Sequence, residues 1–182
     1  MNIPALESER LLLRGARLQD FPEHAAMWSD PRTRAYFQNY PYSEEDTWMR
    51  FQRNFGQWHL FGYGWWVVED KASRRYAGSI GFFQAKRAID VPYGDQPEAG
   101  WVIAPDFHRR GYAREALGTA LAWADAHIEA QNSWCMINPE NLPSRKVAEA
   151  AGYHQAQAAD YKGAPVMTFL RPRATSARKI PA

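Results

Sequence analysis

His108-Arg109-Arg110-Gly111-Tyr112-Ala113 opens a helix that continues through Arg114-Glu115-Ala116-Leu117. It follows the apolar, strand-like run Ala99-Gly100-Trp101-Val102-Ile103 after a short connection, Ala104-Pro105-Asp106-Phe107. Beyond it, apolar residues stand at 113, 116, 117, 120, 121, 124 and 128, which lays one apolar face along an α-helix. A strand, a basic turn with glycine and then a helix is an arrangement suited to holding phosphate. The first N–H groups of a helix have no internal partners, and the aligned peptide dipoles leave partial positive charge there. Gly111 has no Cβ, so its main chain can approach an anion closely, and Arg109 and Arg110 can add charge-assisted hydrogen bonds. A solvated basic loop capping a helix would have the same composition. The six residues alone leave both readings open.

A second segment lies downstream. The strand-like run Trp134-Cys135-Met136-Ile137 is followed by Asn141-Leu142-Pro143-Ser144-Arg145-Lys146-Val147-Ala148-Glu149-Ala150-Ala151-Gly152-Tyr153. Together the two segments resemble the acetyl-coenzyme A signature of the GNAT acetyltransferase superfamily. That signature is Gln/Arg-x-x-Gly-x-Gly/Ala at the head of one helix, then Asn-x-x-Ser/Ala before a helix ending in Gly-Phe/Tyr. The opening Leu6-Glu7-Ser8-Glu9-Arg10-Leu11-Leu12-Leu13-Arg14 and the run Glu98-Ala99-Gly100-Trp101-Val102-Ile103 look like the ribosomal-protein N-acetyltransferase (RimJ/RimL-type) branch. The resemblance runs from about Leu6 to Arg171, and the order and spacing of the motifs carry it more than any one of them.

Working outward, Leu11-Leu12-Leu13 reads as a first strand, and Asp20 through Ser29 as a helix stopped at Asp30-Pro31. Tyr36, Phe37, Tyr40 and Tyr42 cluster in a proline-broken loop. Ser43 caps a helix that carries Trp48, Phe51, Phe55 and Trp58 at spacings of three or four and ends near Phe61-Gly62. Strands are expected at 65–68, 76–84, 98–103, 133–137, 153–158 and 165–170, and helices at 112–128 and 143–151. Gly78 and Gly81 mark places for bulges or close backbone approach, and Gly152 a helix C-cap. The resulting order, β-α-α-β-β-β-α-β-α-β-β, is of the α/β (α+β) class. It matches the GNAT fold that the resemblance implies, a mixed, mostly antiparallel sheet flanked by helices. Residues 1–172 read as one domain and 173–182 as a frayed polar, basic tail.

With 182 residues, 46% hydrophobic and 14% aromatic, the chain can bury a substantial core. A formal net charge of +2 is too small to argue for nucleic acid or an anionic membrane. The N-terminus carries no signal-peptide pattern, and no apolar run reaches the roughly 20 residues that span a bilayer. One cysteine, Cys135, excludes an internal disulfide and fits a reducing cytoplasm; it sits in an apolar run and reads as buried and inert. His24, His59, His127 and His154 show no metal-ligand spacing, so no metal is expected. Neither a Walker-type phosphate loop nor a strand-linked Gly-x-Gly-x-x-Gly occurs, which disfavours nucleotide hydrolysis and hydride transfer.

The resemblance implies acetyl-coenzyme A as co-substrate and an amine as acceptor, a protein N-terminus or a small molecule. The pyrophosphate would sit on His108, Arg109, Arg110, Gly111, Tyr112, Ala113 and Arg114. The pantetheine would pair, as an added strand does, along Trp101, Val102 and Ile103, where a main-chain N–H could also meet the developing oxyanion. Glu98 would take the amine's proton, against the plain alternative of a solvated strand-end carboxylate. Asn141 would bind pantetheine or organise its loop, against a bare helix cap. Ser144 would protonate the departing thiolate, because Ala148 stands where many members have a tyrosine. His108 likewise replaces the family's Gln or Arg. Tyr36, Phe37 and Tyr40 would border the acceptor groove, or else pack on the body. The rivals are a catalytically weak acyl-coenzyme A-binding or interaction module on the same fold, and an RNA- or ribosome-associated factor; a homodimer is left open.

Overall fold

The strand and helix starts follow local chemistry along the chain, and the computed structural model describes residues 3–37 and 43–174. Strands β1 (Leu6–Glu7) and β2 (Leu11–Arg14) precede helices α1 (Phe21–Ser29), α2 (Pro31–Arg34) and α3 (Glu44–Phe61). Then come β3 (Trp65–Asp70), β4 (Tyr76–Phe83), β5 (Glu98–Ile103), α4 (Tyr112–His127), β6 (Asn132–Ile137), α5 (Leu142–Ala150), β7 (His154–Tyr161) and β8 (Ala164–Pro172). Ser43 Oγ accepts from Asp46 N at the head of α3, and Gly62 closes that helix in the left-handed conformation at φ 73°. Gly152, at φ 84°, follows the end of α5, where a Cβ would be strained.

Two short elements add to the expected order. β1 is only two residues long, paired Leu6↔Leu13 and Glu7↔Leu12, too short for any periodicity to reveal. α2 begins where the chain was expected to leave the helix. Pro31 sits at its first helical position, where the missing N–H costs nothing, and the Asp30 side chain accepts from Arg32 N.

The eight strands form one sheet in the order β1-β2-β3-β4-β5-β6-β8-β7. Every neighbouring pair is antiparallel except β5 with β6, which is parallel. Both singled-out glycines are places of close approach. A Cβ on Gly78 would lie 2.2 Å from the Val102 carbonyl oxygen, and one on Gly81 2.3 Å from that of Gly64. Gly78 also faces a bulge, since Val68 pairs with Gly78 but Glu69 with Tyr76, leaving Ala77 as the extra residue.

Strand alternation distributes the core over two faces. On one, Leu11, Leu13, Val68, Ile80, Phe82 and Ile103 meet the α4 residues Ala116, Leu117, Ala120 and Leu121. On the other, Val67, Tyr76 and Val102 lie under Met27 and Trp28 of α1. Each fully buried large apolar side chain contributes about 1.5–3 kcal/mol relative to exposure. Trp48, Phe51 and Trp58 were all expected in the core; Phe51 and Trp58 are buried there, Trp48 is half-buried, and Trp58 Nε1 donates to the Trp65 carbonyl at 2.9 Å. By the same alternation Glu98 and Gly100 share the face of Val102.

Candidate active site

Parallel strands β5 and β6 are each followed by a helix, so the N-termini of α4 and α5 lie beyond the same end of the sheet. Ligands of open α/β sheets gather at that end. Among the described residues the β5–β6 ladder consists of a single pair, Glu98↔Trp134, with Trp134 N donating to the Pro97 carbonyl at 3.0 Å. Past that pair the strands part, and β5 presents an edge.

Alternation decides which main-chain groups look into the gap. Pro97 O faces β6, Ala104 N donates to Ala77 O in β4 at 2.8 Å, and the Val102 carbonyl is directed at Gly78. Val102 and Ala104 therefore turn toward β4, and Trp101 and Ile103 toward the gap. The expectation that Val102 offers main-chain groups to a ligand is thus corrected: β4 holds them. The Ile103 carbonyl is engaged too, 2.8 Å from His108 Nε2. A carbonyl only accepts, so that ring nitrogen carries the hydrogen. His108 binds the basic loop to the strand edge, and the gap is left with the main chain of Trp101 and the Ile103 N–H.

The loop ahead of α4 is unusual in its backbone. Arg109 (φ 61°) and Gly111 (φ 78°) are both left-handed and flank Arg110. For arginine that conformation costs about 1–2 kcal/mol. Gly111 caps α4 with no side-chain hydrogen bond, whereas Ser43 caps α3 and Asn141 caps α5. His108, Arg109, Arg110, Gly111 and Arg114 are exposed, so the helix end opens on solvent with its first amides uncovered. Tyr112 is different: it is buried and its hydroxyl donates to Asp70 Oδ1 at 2.6 Å. Tyr112 and Ala113 can meet a ligand there through their main chain, not through the Tyr112 ring.

Glu98 is not a solvated strand-end carboxylate. It is 4% exposed and forms a two-pronged ion pair with Arg87, Nε to Oε2 at 2.5 Å and Nη2 to Oε1 at 2.8 Å. Burial pushes the Glu98 carboxyl above the usual carboxylate range, and the hydrogen bonds and charge of Arg87 pull it part of the way back. Arg87 lies 4.9 Å from the Tyr161 ring centroid. Nothing in the 86–97 loop singled it out in the sequence, because the pair is fixed by how that loop folds back.

Asn141 Oδ1 accepts from Ser144 N at 3.1 Å, so the helix-cap role is the one its carbonyl plays. Ser144 is half-buried in the first turn of α5, at the same end as the basic loop. Ala148 is wholly buried in the core. Phe37 packs edge-on against Trp28, ring centroids 5.2 Å apart, and belongs to the body under α1. Tyr36 is half-buried, and Tyr40 and Tyr42 lie outside the described residues. An aromatic wall not anticipated is formed by Trp65 and Phe83, stacked at 5.1 Å, and a Cβ on Gly100 would come within 2.9 Å of each ring.

Cys135 is 1% exposed and burial raises its thiol well above its ordinary value. His24 is buried with Nδ1 2.9 Å from the Tyr76 hydroxyl, and burial lowers it to about 3, so it stays neutral. Among the described residues no group of three or more His, Cys, Asp and Glu could hold a metal, and no helix is long and apolar enough to cross a membrane.

Residues 10–154 match the model of the acetyltransferase (GNAT) domain. An acetyltransferase from Agrobacterium tumefaciens is 27% identical with a TM-score of 0.79, covering 93% of this chain and 95% of that one. The ribosomal-protein-S5-alanine acetyltransferase of Vibrio fischeri shares the fold at 17% identity and a TM-score of 0.74, covering 94% and 98%. So does the spermidine N-acetyltransferase of Vibrio cholerae, solved with coenzyme A and spermine, at 17% identity and 0.71, covering 92% and 98%.

Proposed function

The chain belongs to the GNAT acetyltransferase family, and on that premise we propose that it moves an acetyl group from acetyl-coenzyme A directly to a primary amine with both substrates bound. The amine is a protein N-terminus or a small molecule. The observation that carries the reading is the parting of β5 and β6 after one pair, beside a basic, left-handed loop whose helix end no side chain among the described residues caps. The residues fit the co-substrate. The amides from Gly111 to Arg114 would hold its pyrophosphate with Arg109 and Arg110 beside them, and Trp101 and the Ile103 N–H would hold its pantetheine arm. Bound acetyl-coenzyme A supplies the thioester that the amine attacks.

The chain's own residues then orient and move protons. The Trp101 edge aligns the acyl group, and its main chain lies where charge develops on the carbonyl oxygen. Ser144, at the matching helix end, supplies the proton to the sulfur. Glu98 stands three residues along the strand from Trp101, roughly 10 Å at about 3.3 Å per residue. It therefore serves the amine through water rather than by contact, with Arg87 holding its orientation. The stacked Trp65 and Phe83 rings over Gly100 wall the approach on this face.

Calorimetric titration with acetyl-coenzyme A, followed by thiol release with a panel of small amines and peptides with free N-termini, tests the reading. Binding with turnover of at least one amine class is the expected result. Binding without turnover of any would favour the rival, an acyl-coenzyme A-binding module. No binding would end both.

A further inference from the structure

Arg10 holds the strained loop ahead of α4 from outside it. Arg10, in the turn between β1 and β2, donates from Nη1 to the Arg110 carbonyl at 2.8 Å. Arg110 is the residue between the two left-handed positions. The same guanidinium reaches Glu115 in the first turn of α4, from Nε at 2.7 Å and from Nη2 at 2.5 Å. Glu115 also accepts from Arg10 N at 2.8 Å and from Ser8 Oγ at 2.7 Å. The guanidinium lies 4.9 Å from the Tyr112 ring centroid, and its Nη2 would be 3.5 Å from a Cβ on Gly111. One planar fork thus spans both sides of the turn that aims the helix-end amides.

We infer that Arg10 is a positioning residue for the phosphate-holding loop. It fixes the Arg110 carbonyl on the side of the turn away from the outward amides. It also neutralises Glu115, whose carboxylate stands one turn from the place where an anion would arrive. Strained backbone persists only where surrounding contacts over-determine it, and Arg10 supplies that determination here. Lysine cannot replace it, because a single ammonium does not reach a carbonyl and a carboxylate with the geometry of a planar fork. The inference rests on the proposed function for the identity of the anion, but not for the order of the loop.

Two measurements on the full chain test it, in Arg10→Gln, Arg10→Lys, Glu115→Gln and the Arg10→Gln/Glu115→Gln double variant. Amide hydrogen exchange without ligand should speed up over residues 109–113 in Arg10→Gln, while exchange in β3 and β4 and the melting temperature hold. Calorimetry with coenzyme A should show roughly tenfold weaker binding, the size expected when one charge-assisted hydrogen bond is lost. KM for acetyl-coenzyme A should rise by a similar factor, with kcat and the amine KM changing little. Arg10→Lys should resemble Arg10→Gln, and the double variant should regain part of the affinity. Unchanged exchange over 109–113 overturns the inference, as does a loss that falls equally on the amine KM and on melting. Faster loop exchange in a protein whose wild type does not bind coenzyme A keeps the positioning role and discards the proposed function instead.

Discussion

Replacing Arg87 by methionine would leave Glu98 as a buried carboxylate without its counter-ion. Removing one partner of such a pair costs about 3–5 kcal/mol, but the carboxyl has an escape, which is to take up a proton. From an ordinary value near 4.3, that escape costs about 3.7 kcal/mol at pH 7 and about 1 kcal/mol at pH 5. Burial already raises the Glu98 carboxyl against the opposing pull of Arg87, and without Arg87 it must rise further. A carboxyl raised in the folded state favours folding fully below its unfolded value, and this contribution is lost as pH climbs through the folded value. The variant should therefore trail the wild type by little near pH 5 and by several kcal/mol near pH 8. Urea denaturation across that range measures it, and the Arg87→Met/Glu98→Met double variant should recover most of the loss. A stability deficit that is the same at every pH would mean that only packing was removed, and would refute the reasoning. If Glu98 also relays the amine's proton, the acid limb of kcat/KM in Arg87→Met should move to higher pH.

Gly111→Val should abolish coenzyme A binding in a protein that still folds, because a β-branched residue at φ 78° is badly strained; calorimetry at wild-type affinity would remove the phosphate from this loop. Arg109→Gly should raise the unfolding free energy by about 1 kcal/mol through relief of the left-handed strain, yet weaken coenzyme A at low salt and less at high salt, which paired denaturation and titration series would show. Ser144→Ala should lower kcat at pH values where the amine is already neutral, with a loss below the roughly 100-fold of a full general acid; an unchanged kcat in steady-state assays would leave water as the proton source. Cys135→Ala should retain turnover, and loss of activity in a folded variant would revive a covalent acyl-cysteine route.

Much of this architecture was legible in the chain because its boundaries are set locally. Ser43, Gly111 and Gly152 mark helix ends by the chemistry of one residue each, and the α4 face repeats through four turns. β1 was not legible, since its two residues pair only because β2 already stands beside them. At the site, the residues of the basic loop could be named, but not which way the strand beside them turns. Val102 and Trp101 differ by one position, and only the pairing with β4 assigns their main-chain groups to opposite edges. Arg87 and Arg10 were missed for a related reason. Each acts across a loop or a turn on a partner far along the chain, at separations of 11 and 105 residues for Glu98 and Glu115, and no spacing rule connects them.

The one-pair junction between β5 and β6 also has a mechanical consequence. A continuous sheet transmits load through every rung, but here β6, β8 and β7 join the other five strands through one rung, and the load passes instead through α4, where Arg171 of β8 forms a two-pronged ion pair with Asp125, and through the 84–97 segment. From that segment come the Trp134 Nε1 bond to the Gln96 carbonyl, the Asn132 N bond to Gln96 Oε1, the Gln157 Nε2 bond to the Asp90 carbonyl and the Tyr93–Thr168 hydroxyl contact. At the seam the coupling of the two parts of the sheet therefore rests on side chains rather than on main-chain rungs. A strand-like molecule lodged in the seam would act as a missing rung. It would stiffen the junction itself by adding main-chain coupling where side chains now carry the load.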